Sequence, residues 1–454
     1  MKGIMRSFAF ALFLVGTLIG AWPAYAQQGA SEAEGGGRIT REQDEPIIHI
    51  CPGCLSPVFT QGSKGSITPY GRVELDAIYS TRNTNPLDPS QFNGYATGAG
   101  SVNRNSTTLN PRYSVFGIRA DRSDGMHTLK GVVEVDFYGQ TDNAGNLPPR
   151  LRLANIAYGY KNTSLTVGMD WTPVMSLHPD LIDFSIMGYG GNLWQRLPQI
   201  TLRHKFTERF EGLFTVMRFE RGLSGCCGST QIRTPTPTEG GGPTNNTAFN
   251  DPVLMPYVGT RWAYTGDNGM MLAASAAFRH YRSAPLGGVA GATFGGTLST
   301  APFAFNQDIN SYLVGGELVF PITSRVKFSG EIAMGQGLGV EFFRFNQELN
   351  LATGKPIRSV MGWGQLSYAH SREYTFLAGA GFDNPFDRDL KGSVTVPNIQ
   401  YLQNYRTYLT AIHPIWSDFH VGLEWQHLWT NWAVGNGQQK FEGDMWNMSF
   451  WYNF

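Results

Sequence analysis

Several features are scarce in this sequence, and each scarcity removes a class of protein. After residue 26 no apolar run approaches the roughly 18 residues that a membrane-spanning helix needs, which excludes a helical membrane protein. Charged residues make up only 15% of the 454-residue chain, against about a quarter in ordinary soluble domains. Neither sign is in excess, with 35 Lys and Arg against 35 Asp and Glu, and that balance argues against nucleic acid as a partner. Cysteine is limited to Cys51-Pro52-Gly53-Cys54 and Cys226-Cys227. The first pair with His49 is one ligand short of a tetrahedral zinc site, no thioredoxin-like βαβ pattern surrounds it, and no histidine follows it for haem attachment. A structural disulfide between Cys51 and Cys54 is the favoured reading, and no metal or cofactor is expected.

Aromatic residues, at 13%, and 55 glycines are abundant. The first 26 residues carry Lys2 and Arg6, an apolar run from Phe8 to Ile19, and Ala24-Tyr25-Ala26, the layout of a secretory signal peptide cleaved after Ala26. Residues 27–65 then read as a short, Gly-rich periplasmic segment holding the Cys51/Cys54 pair, and 66–454 as one patterned domain.

The period of that pattern is two. Leu129, Gly131, Val133, Val135 and Phe137 alternate with Lys130, Val132, Glu134, Asp136 and Tyr138, and the same beat returns in Val326–Met334 and Leu165–Thr172. Only strands have this period. At about ten to fourteen residues they suit a tilted strand crossing a bilayer. Seven short turn signals alternate with eight long polar segments near 82–110, 139–149, 173–192, 221–252, 283–308, 337–355, 384–396 and 430–440. Fifteen connections imply about sixteen strands. The expectation is an all-β fold: a transmembrane antiparallel β-barrel with short periplasmic turns and long extracellular loops. Backbone groups facing hydrocarbon have no water to bond, so such strands must close into a ring, and one of this width leaves an aqueous lumen.

The C-terminus adds a local signal. Trp446, Met448, Phe450, Tyr452 and Phe454 form one apolar face ending on the last residue, as in outer-membrane barrels, whose assembly machinery is understood to read such a strand. Trp425, Trp429 and Tyr79 suit interfacial belts. Tyr70-Gly71-Arg72-Val73-Glu74-Leu75-Asp76-Ala77-Ile78-Tyr79 resembles the opening strand of the DcaP-like outer-membrane porins. Ser114–Arg119, Arg150-Leu151-Arg152 and Leu165–Trp171 resemble porin strands in matching order, and the resemblance spans most of 66–454. It implies a homotrimer in the bacterial outer membrane, surrounded by lipid, that passes small hydrophilic solutes by diffusion and has a third loop folded into the lumen. The helical N-terminal extension of those porins is not visible here.

The third long segment, 173–192, places His178, Asp180 and Asp183 among Leu181, Ile182, Phe184, Ile186 and Met187. So apolar a loop suits the inner wall, where it would present Asp180 and Asp183 to the pore; a surface loop packed at a subunit junction is the alternative. By parity the lumen wall includes Arg72, Arg119, Lys130, Arg150, Arg152, Arg203 and Lys205, with Glu74, Asp76, Glu134 and Asp136 beside them. Opposed charge rows create a transverse field at a constriction, while in a wide lumen the same residues are merely solvated. Both signs being present, ion preference is expected to be weak, with a mild bias toward anions if the basic rows extend above the loop. An outer-membrane enzyme would need a cluster such as His420, Glu424 and His427, but alternation puts the two histidines on opposite faces, so no catalysis is expected. A structural or adhesive barrel displaying loops is the other alternative, and it predicts a plugged lumen.

Overall fold

The computed structural model describes residues 59–60, 65–82, 105–139, 147–217, 255–282, 292–294, 297–299, 308–339, 342, 355–371, 373–390, 401–434 and 437–454. The expected signal peptide, nearly all of 27–65 with Cys51 and Cys54, and Cys226-Cys227 lie outside the described residues.

Apart from the short strands Phe59–Thr60, Ala292–Phe294 and Thr297–Ser299, the strands in chain order are β1 (Gly65–Ser80), β2 in two halves (Ser106–Asn110 and Val115–Ser123), β3 (His127–Asp136), β4 (Arg150–Tyr160), β5 (Thr163–Trp171), β6 (Arg196–Lys205), β7 (Phe210–Met217) and β8 (Tyr257–Thr265). There follow β9 (Met271–Arg282), β10 (Asp308–Pro321), β11 (Val326–Gln336), β12 (Arg358–Ala369), β13 (Thr375–Pro385), β14 (Tyr401–Trp416), β15 (Phe419–Val434) and β16 (Gly437–Asn453). Each pairs antiparallel with the next, and β16 returns to β1 from Arg72↔Asn453 to Ser80↔Met445. With the halves of β2 taken as one strand, sixteen strands form a closed ring. The seam is finished by the last residue: Gly71 N–H donates to the Phe454 carbonyl and Phe454 N–H to the Gly71 carbonyl, each at 3.0 Å. Closure leaves no free edge, which is what a sheet in hydrocarbon requires.

Polarity is inverted relative to a soluble domain. Val73 is 51% exposed and Leu75 43%, while Arg72, Glu74 and Asp76 between them are 1–2% exposed. The outer face is therefore apolar and meets lipid, and the inner face is polar. Toward the turns the outside becomes aromatic, as where Phe206 lies nearly parallel to Trp262 with centroids 5.7 Å apart. At the other end Tyr405 stacks on Trp429 at 5.0 Å. The apolar C-terminal face of Trp446, Met448, Phe450, Tyr452 and Phe454 lies on this outer side, whereas Asn447, Ser449 and Asn453 are buried within.

Two irregularities follow from sequence. Pro111 lacks an N–H and interrupts β2. Ser114 Oγ then accepts the Glu74 N–H at 3.0 Å, replacing a ladder bond, and Tyr113 is buried. In β4 the register shifts opposite Glu134/Val135, so Arg150, Arg152 and Leu153 are all buried, without strict alternation.

The seven short turns fall where expected. The 124–126 turn is typical: Asp124 Oδ1 accepts the N–H groups of Met126 at 3.1 Å and His127 at 2.7 Å, and Gly125 takes φ +93°. One connection corrects the sequence reading. A long loop is expected at 430–440, but β15 and β16 run to Val434 and from Gly437 with those two residues paired, leaving a tight hairpin. Polar residues here extend strands beyond the membrane, where alternation no longer distinguishes strand from loop.

Candidate functional site

The third loop, 172–195 between β5 and β6, occupies the interior. Its apolar side chains are enclosed: Val174, Met175, Leu181, Ile182, Ile186, Met187 and Leu193 are at most 1% exposed. The chain turns sharply to fit, with positive φ at Met175, Ile186, Met187, Tyr189 and Gly191. Absent side chains on the wall make room. A Cβ on Gly381 would collide with the Gly190 carbonyl, and one on Gly191 with the Gly362 carbonyl.

Backbone groups of a loop held away from water need partners, and inner-wall side chains supply them. Met175 N–H donates to Ser275 Oγ at 3.2 Å, Leu177 N–H to Glu317 Oε1 at 2.8 Å, Asp180 N–H to Gln365 Oε1 at 2.9 Å, Ile182 N–H to Glu424 Oε2 at 3.0 Å, and Leu193 N–H to Glu331 Oε1 at 3.1 Å. Five strands, β9 to β12 and β15, thus hold the loop through single acceptors. From β14, Arg406 pairs with Asp183 and donates to Ser185 Oγ at 2.8 Å and the Gly188 carbonyl at 3.3 Å. Gln426 joins the same group by donating to Asp183 Oδ2 at 2.9 Å.

The opposite wall carries charges of both signs and aromatic rings. Arg150 forms a fork on Asp136, with Nε–Oδ1 at 3.0 Å and Nη2–Oδ2 at 2.6 Å, and Arg152 bridges Glu134 at 2.5 Å and Asp136 at 3.2 Å. Arg196 reaches Asp136 at 3.7 Å, and Arg72 lies 2.7 Å from Glu74. The loop closes on this cluster: Phe184 stacks on Tyr138 with centroids 3.8 Å apart and 8° between planes. Four arginines here meet Glu74, Asp76, Glu134 and Asp136, so the cluster carries no excess charge.

Most of the expected wall residues do face inward, but they are packed. Arg72, Glu74, Asp76, Glu134, Asp136, Arg150 and Arg152 are all under 8% exposed. The open inner positions lie nearer the turns: Lys130 and Lys205 are exposed, Arg119 sits 5.6 Å from the Tyr70 ring, and Arg203 binds Glu211 at 3.0 Å. The two loop acids divide. Asp180 is half-exposed, with Lys327 Nζ at 3.5 Å and Gln365 Nε2 at 3.2 Å. Asp183, expected to face the opening, is instead fully buried against Arg406, because a carboxylate enclosed by the loop's apolar residues is stable only beside a cation. His178 is half-buried by area, but its Nε2 is enclosed with no hydrogen-bond partner while Asn192 lies 3.4 Å from Nδ1. Burial pushes the ring down to about 4.

Arg406, Glu317, Glu331, Gln365 and Gln426 belong to the site, as does Arg261, whose Nε lies 2.7 Å from Glu317, and none was among the expected residues. Their signal is the one that marks Arg72, a polar side chain at an inner parity position, but on the late strands. His420 faces inward and His427 outward on β15, so the triad considered from sequence does not assemble.

No protein-family model and no curated protein matches the chain. Solved structures do. The outer-membrane channel DcaP of Acinetobacter baumannii superposes with a TM-score of 0.64 at 15% identity, covering 87% of this chain and 99% of that one. The fold is that of the outer-membrane porins. An anion-selective porin from Comamonas acidovorans aligns with a TM-score of 0.52 at 11% identity over 86% of this chain and 100% of that one. The trimer form of OmpT from Vibrio cholerae gives 0.53 at 10% identity over 86% and 100%. A closed ring of strands with an apolar exterior is the form of a barrel that crosses a lipid bilayer.

Proposed function

We propose that the protein is a passive diffusion channel for small hydrophilic solutes, narrowed at mid-height by the third loop. One observation carries the reading: the loop is held by hydrogen bonds and ion pairs to a polar inner wall, an arrangement that can shift without unfolding the barrel. Its least buried stretch, Ser176–Asp180 with Lys327 beside it, is the natural place for a solute to pass. There a permeant would exchange part of its hydration for Asp180, Lys327 and Gln365, weakly enough for fast release. Lys130, Arg203 and Lys205 on the periplasmic side of the inner wall favour a weak anion preference. No chemistry is required of any residue. The chain would be delivered by cleavage of residues 1–26, inserted by the barrel-assembly machinery through its Phe454-terminated strand, and act as a homotrimer in outer-membrane lipid, with 27–65 in the periplasm.

A second reading, a sealed barrel that displays loops, is favoured by the enclosure of residues 181–197, all buried. Planar-bilayer recording separates the two. A channel gives conductance steps in wild type, larger in Arg406→Ala, which leaves Asp183 buried without its cation at a cost of about 3–5 kcal/mol to the docked loop. Absence of steps in both proteins, with the barrel intact by circular dichroism, rejects the channel. Steps in groups of three support a trimer.

A further inference from the structure

Four of the nine histidines, His127, His204, His370 and His413, share one setting outside the lumen. All stand at the turn end of the barrel. His127 closes the 124–126 turn, its carbonyl accepting the Asp124 N–H, and His370 opens the 370–374 turn by donating its N–H to the Tyr374 carbonyl. His204 is paired with Thr163, the first residue of β5, and His413 stacks on Tyr374 at 4.6 Å. Each faces outward by alternation, two or four residues from an exposed leucine on its own strand: Leu129, Leu202, Leu366 or Leu409.

The rings are also held alike. Every Nδ1 is tied to the barrel, by the Tyr158 hydroxyl at 2.6 Å, the Thr163 hydroxyl at 2.8 Å, the Tyr368 hydroxyl at 3.0 Å and the Glu373 carbonyl at 2.9 Å. Where the partner is a hydroxyl that donates to Nδ1, the neutral ring carries its proton on Nε2, at the far side of the ring. His413 spends its Nδ1–H on a carbonyl, so its Nε2 donates only as imidazolium. Aromatic neighbours steady the planes: Tyr160 at 4.9 Å from His127, Phe206 at 4.7 Å from His204 and Tyr368 at 5.7 Å from His370.

We propose that these four histidines form a girdle that binds the headgroup phosphates of periplasmic-leaflet phospholipids. The leucines and aromatics above them take the acyl chains, and the Nε2–H of His127, His204 and His370, joined by that of His413 when it is imidazolium, serves a phosphodiester at the edge of the apolar belt. The rings sit on β3, β6 and β14 and just past the end of β12, spread around the barrel, which an annulus of separate lipids can serve and one protein partner cannot. Neighbouring charges are mixed: Lys161 lies 5.2 Å from the Tyr160 ring, with Asp124, Lys205, Arg325 and Glu373 in or beside the same turns.

The test uses the full chain in dodecyl maltoside, titrated with phosphatidylglycerol and, separately, with diacylglycerol of the same chains. Native mass spectrometry counts retained lipids. Wild type is expected to retain phosphatidylglycerol in preference to diacylglycerol. The variant H127F/H204F/H370F/H413F, which keeps an aromatic ring at each position, is expected to retain severalfold fewer phosphatidylglycerol molecules and unchanged diacylglycerol. Equal phosphatidylglycerol retention by the variant, or no preference in wild type, overturns the girdle, as does a loss that Lys161→Gln reproduces in full. If the fourfold variant does not fold, His127→Phe and His370→Phe are measured singly. Each should lower retention, and no change in either has the same adverse meaning.

Discussion

At the scale of single residues, burial decides which charges act on the lumen. Asp180 and Lys327 each keep about 45% of their side chains exposed, and an exposed pair contributes at most about 1 kcal/mol. Asp180→Asn should therefore leave thermal stability unchanged while moving the reversal potential toward anions in a salt gradient. A shift in melting temperature with no change in reversal potential would place Asp180 in the scaffold. His178 behaves in the opposite way. Its ring is neutral when docked, with a value near 4 set by burial, whereas a free imidazole titrates near about 6.5. Above that value docking is indifferent to pH; below it the undocked ring gains a proton that the docked ring refuses, so the seat weakens as pH falls from about 6.5 to about 4. Limited proteolysis of the loop should accelerate over that window in wild type. In His178→Phe the acceleration should be smaller.

Among elements, the third loop is the one whose position sets function, and close backbone approach sets its position. Gly191 combines φ +108° with a place where an added Cβ would collide with the Gly362 carbonyl oxygen and fall 2.6 Å from that of Phe382. Gly191→Ala faces both a strained backbone and a collision with strand atoms that cannot turn aside. The loop should lift from β12 and β13 while the ring of strands persists, giving larger and noisier conductance with unchanged strand content by circular dichroism. Unaltered conductance would mean that the loop adjusts locally and that the glycine contact is dispensable.

For the whole molecule, stability depends on closure. The seam rests on the register from Arg72↔Asn453 onward, on the Gly71 and Phe454 backbone bonds, and on the Phe454 ring packed over Gly71 and 5.9 Å from Phe116. Removing Phe454 takes away a paired residue and a lipid-facing ring where β1 and β16 meet. Refolding into vesicles should slow and the yield of heat-modifiable barrel on gels should fall. Equal yield would separate the seam from assembly.

Much of this architecture is legible in the sequence because it is local chemistry repeated along the chain. A residue on a barrel strand meets either lipid or lumen, so alternation alone places Val73 outside and Arg72, Glu134 and Arg152 inside, and the turn signals give the strand number. Parity weakens where the strand does: Pro111 breaks β2, the register slips at β4, and the hairpin at 434–437 extends past the bilayer, where no hydrocarbon enforces the pattern. What only the tertiary structure decided is who meets whom across the lumen. Asp183 and Arg406 lie 223 positions apart, and nothing near either one specifies the other. They meet because ring closure fixes β14 opposite the path of a loop leaving β5. The same closure turns expected pore-facing charges into a packed cluster, since their exposure depends on how far the loop fills the interior, a distance set by the circumference of the whole ring and by no segment of it.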